Sequence, residues 1–284
     1  MAKVYDALRR ADAERRRRAG QEAPQNAPLE WEPETSAVVP GPRAPKAPSL
    51  LSRFWPGKRA PLESTGDLNK RRISLLQPDS FVAEQFRALR GRLDAIASQR
   101  PLKTLAMTSA SPGEGKTTSA INLAIVTSLS VGRRVLLVDC DLRRPKVHSA
   151  LGLTPEAGLA EVLTDQIGLE QAIVKPEAMG LEILCVRGRP ANPSELLSSA
   201  RMRELVEEVG QRYDRVILDT PAALGLPDAK AVADLCDGAV VVVRADVTRQ
   251  EDLEAVLEIV DRRRVLGLVL NGAVADQGRY GYVS

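Results

Sequence analysis

The apolar positions of this chain change period several times, and the changes lay out its architecture. Within residues 80–96, Phe81, Phe86, Leu89 and Leu93 recur at helical spacing between Glu84, Arg87 and Arg90. That spacing predicts an amphipathic helix with the four apolar side chains turned to a core and the charges elsewhere. Short apolar runs at 102–107, 134–141, 181–186, 216–219, 239–243 and 265–270 then alternate with helical patterns. The helical patterns cover 120–131, 158–163, 169–174, 250–263 and a long stretch from Asn192 to Arg212 that opens on Pro193. Strands alternating with helices predict an α/β fold, a doubly wound and mostly parallel sheet with helices on both faces.

Ahead of this region the pattern is different. Val4, Leu8 and Ala11 give residues 2–18 a narrow apolar stripe, and Arg15 to Arg18 suit the C-terminal end of a helix. A stripe that narrow does not hold a helix alone, so the segment either docks on a partner or frays. Residues 19–61 carry nine prolines and no sustained period, which reads as a disordered, partly extended linker that also contains Trp31 and Trp55. The expected organisation is a short basic helix over 1–18, a linker over 19–77, the α/β domain over 78–272 and a tail over 273–284.

Charge sharpens the division. Of the 40 Lys and Arg against 37 Asp and Glu, residues 1–72 hold 15 against 9, so the basic excess belongs to the N-terminal region. No aromatic–basic repeat accompanies it, and nucleic acid is not an expected partner. Cys140, Cys185 and Cys236 lie far apart in apolar surroundings and read as reduced core residues. His148 has no metal-ligand partner motif. No apolar run of 18 residues is present, so a soluble, cytoplasmic protein is expected.

The chemistry concentrates at strand ends. Between the first strand and its helix stands Ala110-Ser111-Pro112-Gly113-Glu114-Gly115-Lys116-Thr117-Thr118. Glycines at such a turn let backbone N–H groups close on phosphate oxygens, the lysine reaches the β/γ-phosphates, and the hydroxyl after it completes a Mg²⁺ shell. Ala110 replaces the first glycine of the usual pattern. The next strand ends in Asp139 and Asp141, expected on one face by alternation, with Arg143 and Arg144 beyond. The strand over 216–219 ends in Asp219, followed by Thr220-Pro221. Open parallel sheets bind ligands at these carboxyl ends. Positioned nucleotide, metal and carboxylates are what phosphoryl transfer needs. Lys116 is the expected phosphate ligand, with Thr117 and Asp219 on the metal. One of Asp139 and Asp141 is expected in the metal shell and the other as proton acceptor.

The three signatures together, with Asn192-Pro193-x-Glu195-Leu-Leu, Pro227-Asp228-Ala and Leu270-Asn271, resemble the bacterial tyrosine kinases, autokinases of capsule and exopolysaccharide synthesis. The resemblance spans about 78–273. It implies ATP and Mg²⁺ as cofactors, nucleotide contacts from Pro112 through Thr118, and Asn271 at the adenine. Glu84, Arg87 and Arg90 match the family's oligomerisation motif, which implies a ring of copies. The family's acceptors form a C-terminal tyrosine cluster, matched here by Tyr280 and Tyr282; Tyr5 and Tyr213 have weaker claims. Two of the chain's four tyrosines thus fall in its last five residues. The fused membrane module of many relatives is missing, which implies a separate membrane-embedded co-polymerase as activator and a peripheral place at the inner face of the membrane. Ser111 stands where Min/Par-type ATPases carry a signature lysine. Such an ATP-dimerising switch without kinase activity is the alternative reading, and a nucleotide-binding scaffold without chemistry is a third.

Overall fold

Seven strands realise the alternating pattern in a computed structural model that describes residues 77–130 and 132–273. The basic N-terminal segment, the linker through residue 76 with its tryptophans, Tyr5, Tyr280 and Tyr282 lie outside the described residues. In chain order the elements are α1 (Phe81–Ala97), β1 (Thr104–Ser109), α2 (Lys116–Ser128), β2 (Val135–Asp139), α3 (Val147–Leu151), α4 (Leu159–Leu163) and α5 (Leu169–Ala172). There follow β3 (Ile173–Val174), a 3₁₀ turn (Glu177–Met179), β4 (Glu182–Leu184), α6 (Pro193–Leu197), α7 (Ala200–Arg212), β5 (Arg215–Asp219), α8 (Asp228–Ala233), β6 (Gly238–Arg244), α9 (Gln250–Ile259) and β7 (Val265–Asn271).

The strands lie in the order β3-β4-β2-β5-β1-β6-β7. All neighbours are parallel except the edge pair β3/β4. From central β1 the chain first winds outward to β2 and β4, then returns to lay β5 between β2 and β1. Finally it winds the other way through β6 and β7. The reversal leaves the carboxyl ends of β1, β2 and β5 side by side. Their uninterrupted apolar runs follow from the sandwich: β1, β2 and β5 are buried along their whole length. α2 is buried nearly all round, from Ala120 to Thr127, as befits a helix between the sheet and α1. The three cysteines are free and buried.

Three local expectations are corrected. Phe81 is 48% exposed, because at 100° per residue it falls off the arc that Ala83, Phe86, Leu89 and Leu93 turn to the core. The stretch 192–212 is two helices. Ser198 spends its hydroxyl on the carbonyl of Ser194 at 2.7 Å, and Ser199 caps α7 by accepting from the Met202 N–H at 3.1 Å. Residues 169–174 are helix only to Ala172, after which the β-branched pair Ile173-Val174 joins the sheet edge.

Leu137 sits in the middle of β2 with no exposure and belongs to the main core cluster. Leu137→Ala is expected to cost about 2–5 kcal/mol, read as a lowered urea midpoint; an unchanged midpoint would place the core elsewhere.

Candidate phosphate and carboxylate site

Sheet register builds the site. Met107 of β1 pairs with Asp219 of β5, and Asp219 pairs with Asp139 of β2. The loop after β1 therefore hangs over two carboxylate-bearing strand ends. Gly113 (φ 89°) and Gly115 (φ 99°) take left-handed conformations within it. A Cβ on Gly115 would also come within 2.0 Å of the Asn271 amide nitrogen, so the position admits only glycine. Gly115 caps the 13-residue helix α2 with no side-chain bond, which leaves the first N–H groups of that helix directed at the loop. Ala110 is buried, and its carbonyl accepts the Leu224 N–H at 3.3 Å, so the lost glycine is absorbed by packing.

Lys116 opens α2 and is itself buried; its ammonium donates to Asp141 Oδ2 at 3.1 Å. Burial alone would lower its pKa, but Asp219, Asp141 and Asp139 outweigh it and hold the ammonium charged. Asp219 is the counterpart. Both its oxygens are buried and neither makes a hydrogen bond. Burial pushes its pKa up to about 6 although the Lys116 charge and the neighbouring Thr117 hydroxyl pull it down. An unsatisfied buried carboxylate beside a hydroxyl is a hard-oxygen pair that fits Mg²⁺.

Asp139 and Asp141 do not share a face. β2 ends at Asp139, so strand alternation stops there. Asp139 is fully buried, and its oxygens accept the N–H groups of Asp141, Lys146 and Val147 at 3.0–3.1 Å. It fastens the turn into α3 instead of facing the cleft, and burial raises its pKa against those donors. Asp141 alone of the pair lines the cleft. That cleft, about 540 Å³, runs from Pro112, Gly113 and Gly115 through Lys116, Thr117 and Thr118 to Arg143, Arg144 and Lys146. Pro221, Ala222, Leu224 and Leu226 form an apolar wall in it.

Asn271, at the end of β7, donates to the Glu114 carbonyl at 2.9 Å. Glu84 and Arg87 form an ion pair on α1, and Arg87 also donates to the Pro78 carbonyl at 2.7 Å. Arg90 donates to the Val126 carbonyl at 2.6 Å, which commits it to α2 within the same chain. Tyr213 is buried with its hydroxyl on Glu182 at 2.5 Å, out of reach of any cleft. Two groups have partners that no local pattern announces. Arg143 donates to Asp228 at 2.7 Å and to Ser194 at 2.7 Å, and Ser194 donates to Asp228 at 2.5 Å, tying β2, α6 and α8 together. Arg244 and Thr248 reach the phosphate loop from the β6 side. Only the fold brings these partners together, across 34 to 134 residues of chain.

The chain is similar in sequence and fold to known proteins. An AAA domain family (AAA_31) matches residues 102–265. The tyrosine-protein kinase YwqD of Bacillus subtilis (strain 168) is 38% identical over 213 residues, 74% of this chain and 90% of that protein. The putative tyrosine-protein kinase AmsA of Erwinia amylovora is 32% identical over 78% of this chain, which spans only 31% of that longer relative. Among solved structures, the chimerical protein CapA2B2 superposes with a TM-score of 0.68 at 29% identity, over 72% of this chain and 91% of that one. The kinase domain of the Escherichia coli tyrosine kinase ETK does so with 0.66 at 30%, over 75% and 84%.

The raised Asp219 pKa carries a stability consequence. A carboxyl held above its unfolded value of 3.8 stabilises the fold fully below that pH, and the contribution is lost as pH rises through about 6. Asp219→Asn should therefore raise the stability of the protein without nucleotide by up to about 3 kcal/mol at pH 7.5, with the gain vanishing toward pH 4. The same change should remove the extra stabilisation that Mg²⁺ adds to bound ADP. Thermal unfolding across pH checks both; a destabilised variant at pH 7.5 would mean that Asp219 has a partner.

Proposed function

The chain belongs to the bacterial tyrosine-protein kinase family, and from that premise we propose that its cleft moves the γ-phosphate of ATP to tyrosines near the C-terminus of a neighbouring copy. The observation that carries the reading is the buried Lys116–Asp141 pair set beside the unpartnered Asp219 at one end of a phosphate loop. The β/γ-phosphates compete with Asp141 for the Lys116 ammonium. As Lys116 turns to them, Asp141 loses its ion-pair partner and becomes a proton acceptor. An entering tyrosine gives its hydroxyl proton to Asp141, its oxygen bonds to the γ-phosphorus, and the bond to the β-phosphate oxygen breaks to leave ADP. The backbone N–H groups from Gly113 to Thr118 and Lys116 take up charge on the phosphates. Thr117 and Asp219 would hold Mg²⁺, directly or through its water, and the ion would supply further neutralisation of the phosphate oxygens. Asp139 serves by fixing the turn that carries Asp141.

Tyr280 and Tyr282 are the proposed acceptors. Residues 273–284, fully extended, reach about 40 Å, enough to enter a neighbour's cleft. Phosphorylation adds about −1.5 to −2 charges per tyrosine, which favours release of the tail from a site with three carboxylates. Glu84 and Arg87, exposed and half-buried on α1, are offered to the neighbouring copy in a ring. Residues 1–18 would dock on a membrane-embedded polysaccharide co-polymerase, with 19–77 as tether, and so place the kinase domain over 78–272 at the membrane's inner face in polysaccharide synthesis or export. Among the described residues no helix is long and apolar enough to cross a membrane. The Min/Par-type switch is not favoured, since Ser111 replaces the signature lysine and its own N–H is bound by Glu114.

Incubation of the purified protein with Mg·ATP, with and without the cytosolic segment of a candidate activator, followed by anti-phosphotyrosine detection tests this. Lys116→Met should abolish the signal and Asp141→Asn should lower the rate by about 10²–10⁴-fold. Tyr280→Phe/Tyr282→Phe should remove most incorporated phosphate. Full incorporation in the double variant would refute the acceptor assignment, and ATP hydrolysis with no phosphotyrosine would put the chain among the switches.

A further inference from the structure

Glu114 places a negative charge inside a loop whose task is to bind phosphates, between Gly113 and Gly115 and two residues before Lys116. Facing the cleft, it would repel a triphosphate. It does not face the cleft. The side chain is 2% exposed and contributes nothing to the cleft lining, although its neighbours on both sides do. Its two oxygens are turned to the far side of the loop. Oε2 accepts the Ser111 N–H at 2.9 Å, a contact within the loop, and Oε1 accepts the Thr248 hydroxyl at 2.5 Å, a contact from outside it.

Thr248 stands between β6 and α9. Its hydroxyl oxygen accepts the Arg244 N–H at 2.8 Å, so the hydroxyl's single proton is left for Glu114. The same strand end sends the Arg244 guanidinium to the Gly113 carbonyl at 3.0 Å, and β7 sends Asn271 to the Glu114 carbonyl. Those two contacts hold loop backbone. Of the contacts that reach the loop from β6 and β7, only the Thr248 bond holds the charge; the Ser111 N–H on Oε2 belongs to the loop itself.

We propose that Thr248 is a positioning residue for the nucleotide: by donating to Glu114 it keeps that carboxylate behind the phosphate loop and out of the field of the bound phosphates. Without the hydroxyl, the Oε1 side of a buried carboxylate has no donor, and the side chain rotates toward solvent through the cleft, beside Lys116. The loss then falls on phosphate binding and is electrostatic. This inference rests on the nucleotide site alone.

The test is the affinity of the full chain for a fluorescent ADP analogue with Mg²⁺, accompanied by thermal unfolding to confirm an intact fold. Thr248→Val, equal in size, should weaken binding by about tenfold, and Thr248→Ser should stay within about twofold of wild type because it keeps the donor. Adding Glu114→Gln to Thr248→Val should recover most of the affinity, since a neutral side chain no longer repels phosphate. A merely structural contact predicts the opposite, a double variant weaker than Thr248→Val. That result, or wild-type affinity in Thr248→Val, or a serine variant as weak as the valine one, overturns the proposal. Because the readout is binding, a failure to form phosphotyrosine would sink the kinase reading and leave this test intact.

Discussion

The site depends on an imbalance of buried charge. Asp139, Asp141 and Asp219 converge at the ends of β2 and β5, and one buried ammonium, Lys116, answers them. Burying carboxylates is costly unless each finds a partner, and the three are treated differently. Asp139 is satisfied by three backbone N–H groups, Asp141 by Lys116, and Asp219 by no hydrogen bond. The fold thus keeps one carboxylate bound to backbone, one paired with an ammonium and one with no hydrogen bond. Strand register enforces the division, because Asp139 and Asp219 are opposite each other and cannot separate without breaking the sheet.

The phosphate loop is correspondingly held from two sides. β5 and the segment after it fix its base, where Ala223 and Leu224 donate to Ser109 and Ala110. β6 and β7 fix its tip through Arg244, Thr248 and Asn271. Two glycines with positive φ let the backbone turn sharply between these supports. The departure at Ala110 and the charge of Glu114 are both accommodated inside the loop because each residue is buried and neither lines the cleft.

Most of the sheet was legible because each buried strand is a short apolar run, and the runs of β2 and β5 end in carboxylates. The placement of the loop, Lys116, Thr117 and Asp219 was legible for the same reason, since each follows from position at a strand's end. The different partners of Asp139 and Asp141 were not, since alternation holds only while the strand lasts, and β2 stops between them. The break at Ser198 and Ser199 was hidden by a continuous helical period, because two serine hydroxyls and not the apolar pattern end α6 and start α7. Ser194 and Thr248 lay beyond any local signal, and Pro227-Asp228-Ala did not disclose what Asp228 binds. Their partners are remote in sequence, and a polar residue in a loop looks alike whether it faces solvent or a buried charge.

The triangle of Arg143, Ser194 and Asp228 has a bearing on how the cleft is entered. The segment 220–228 that forms its apolar wall is tied at Thr220 to β1, at Ala223 and Leu224 to the phosphate loop, and at Asp228, whose side chain has no exposure, to two other elements. A strip fastened at both ends and in the middle does not swing as a lid. That wall of the cleft is therefore preformed, and an occupant meets it already in place.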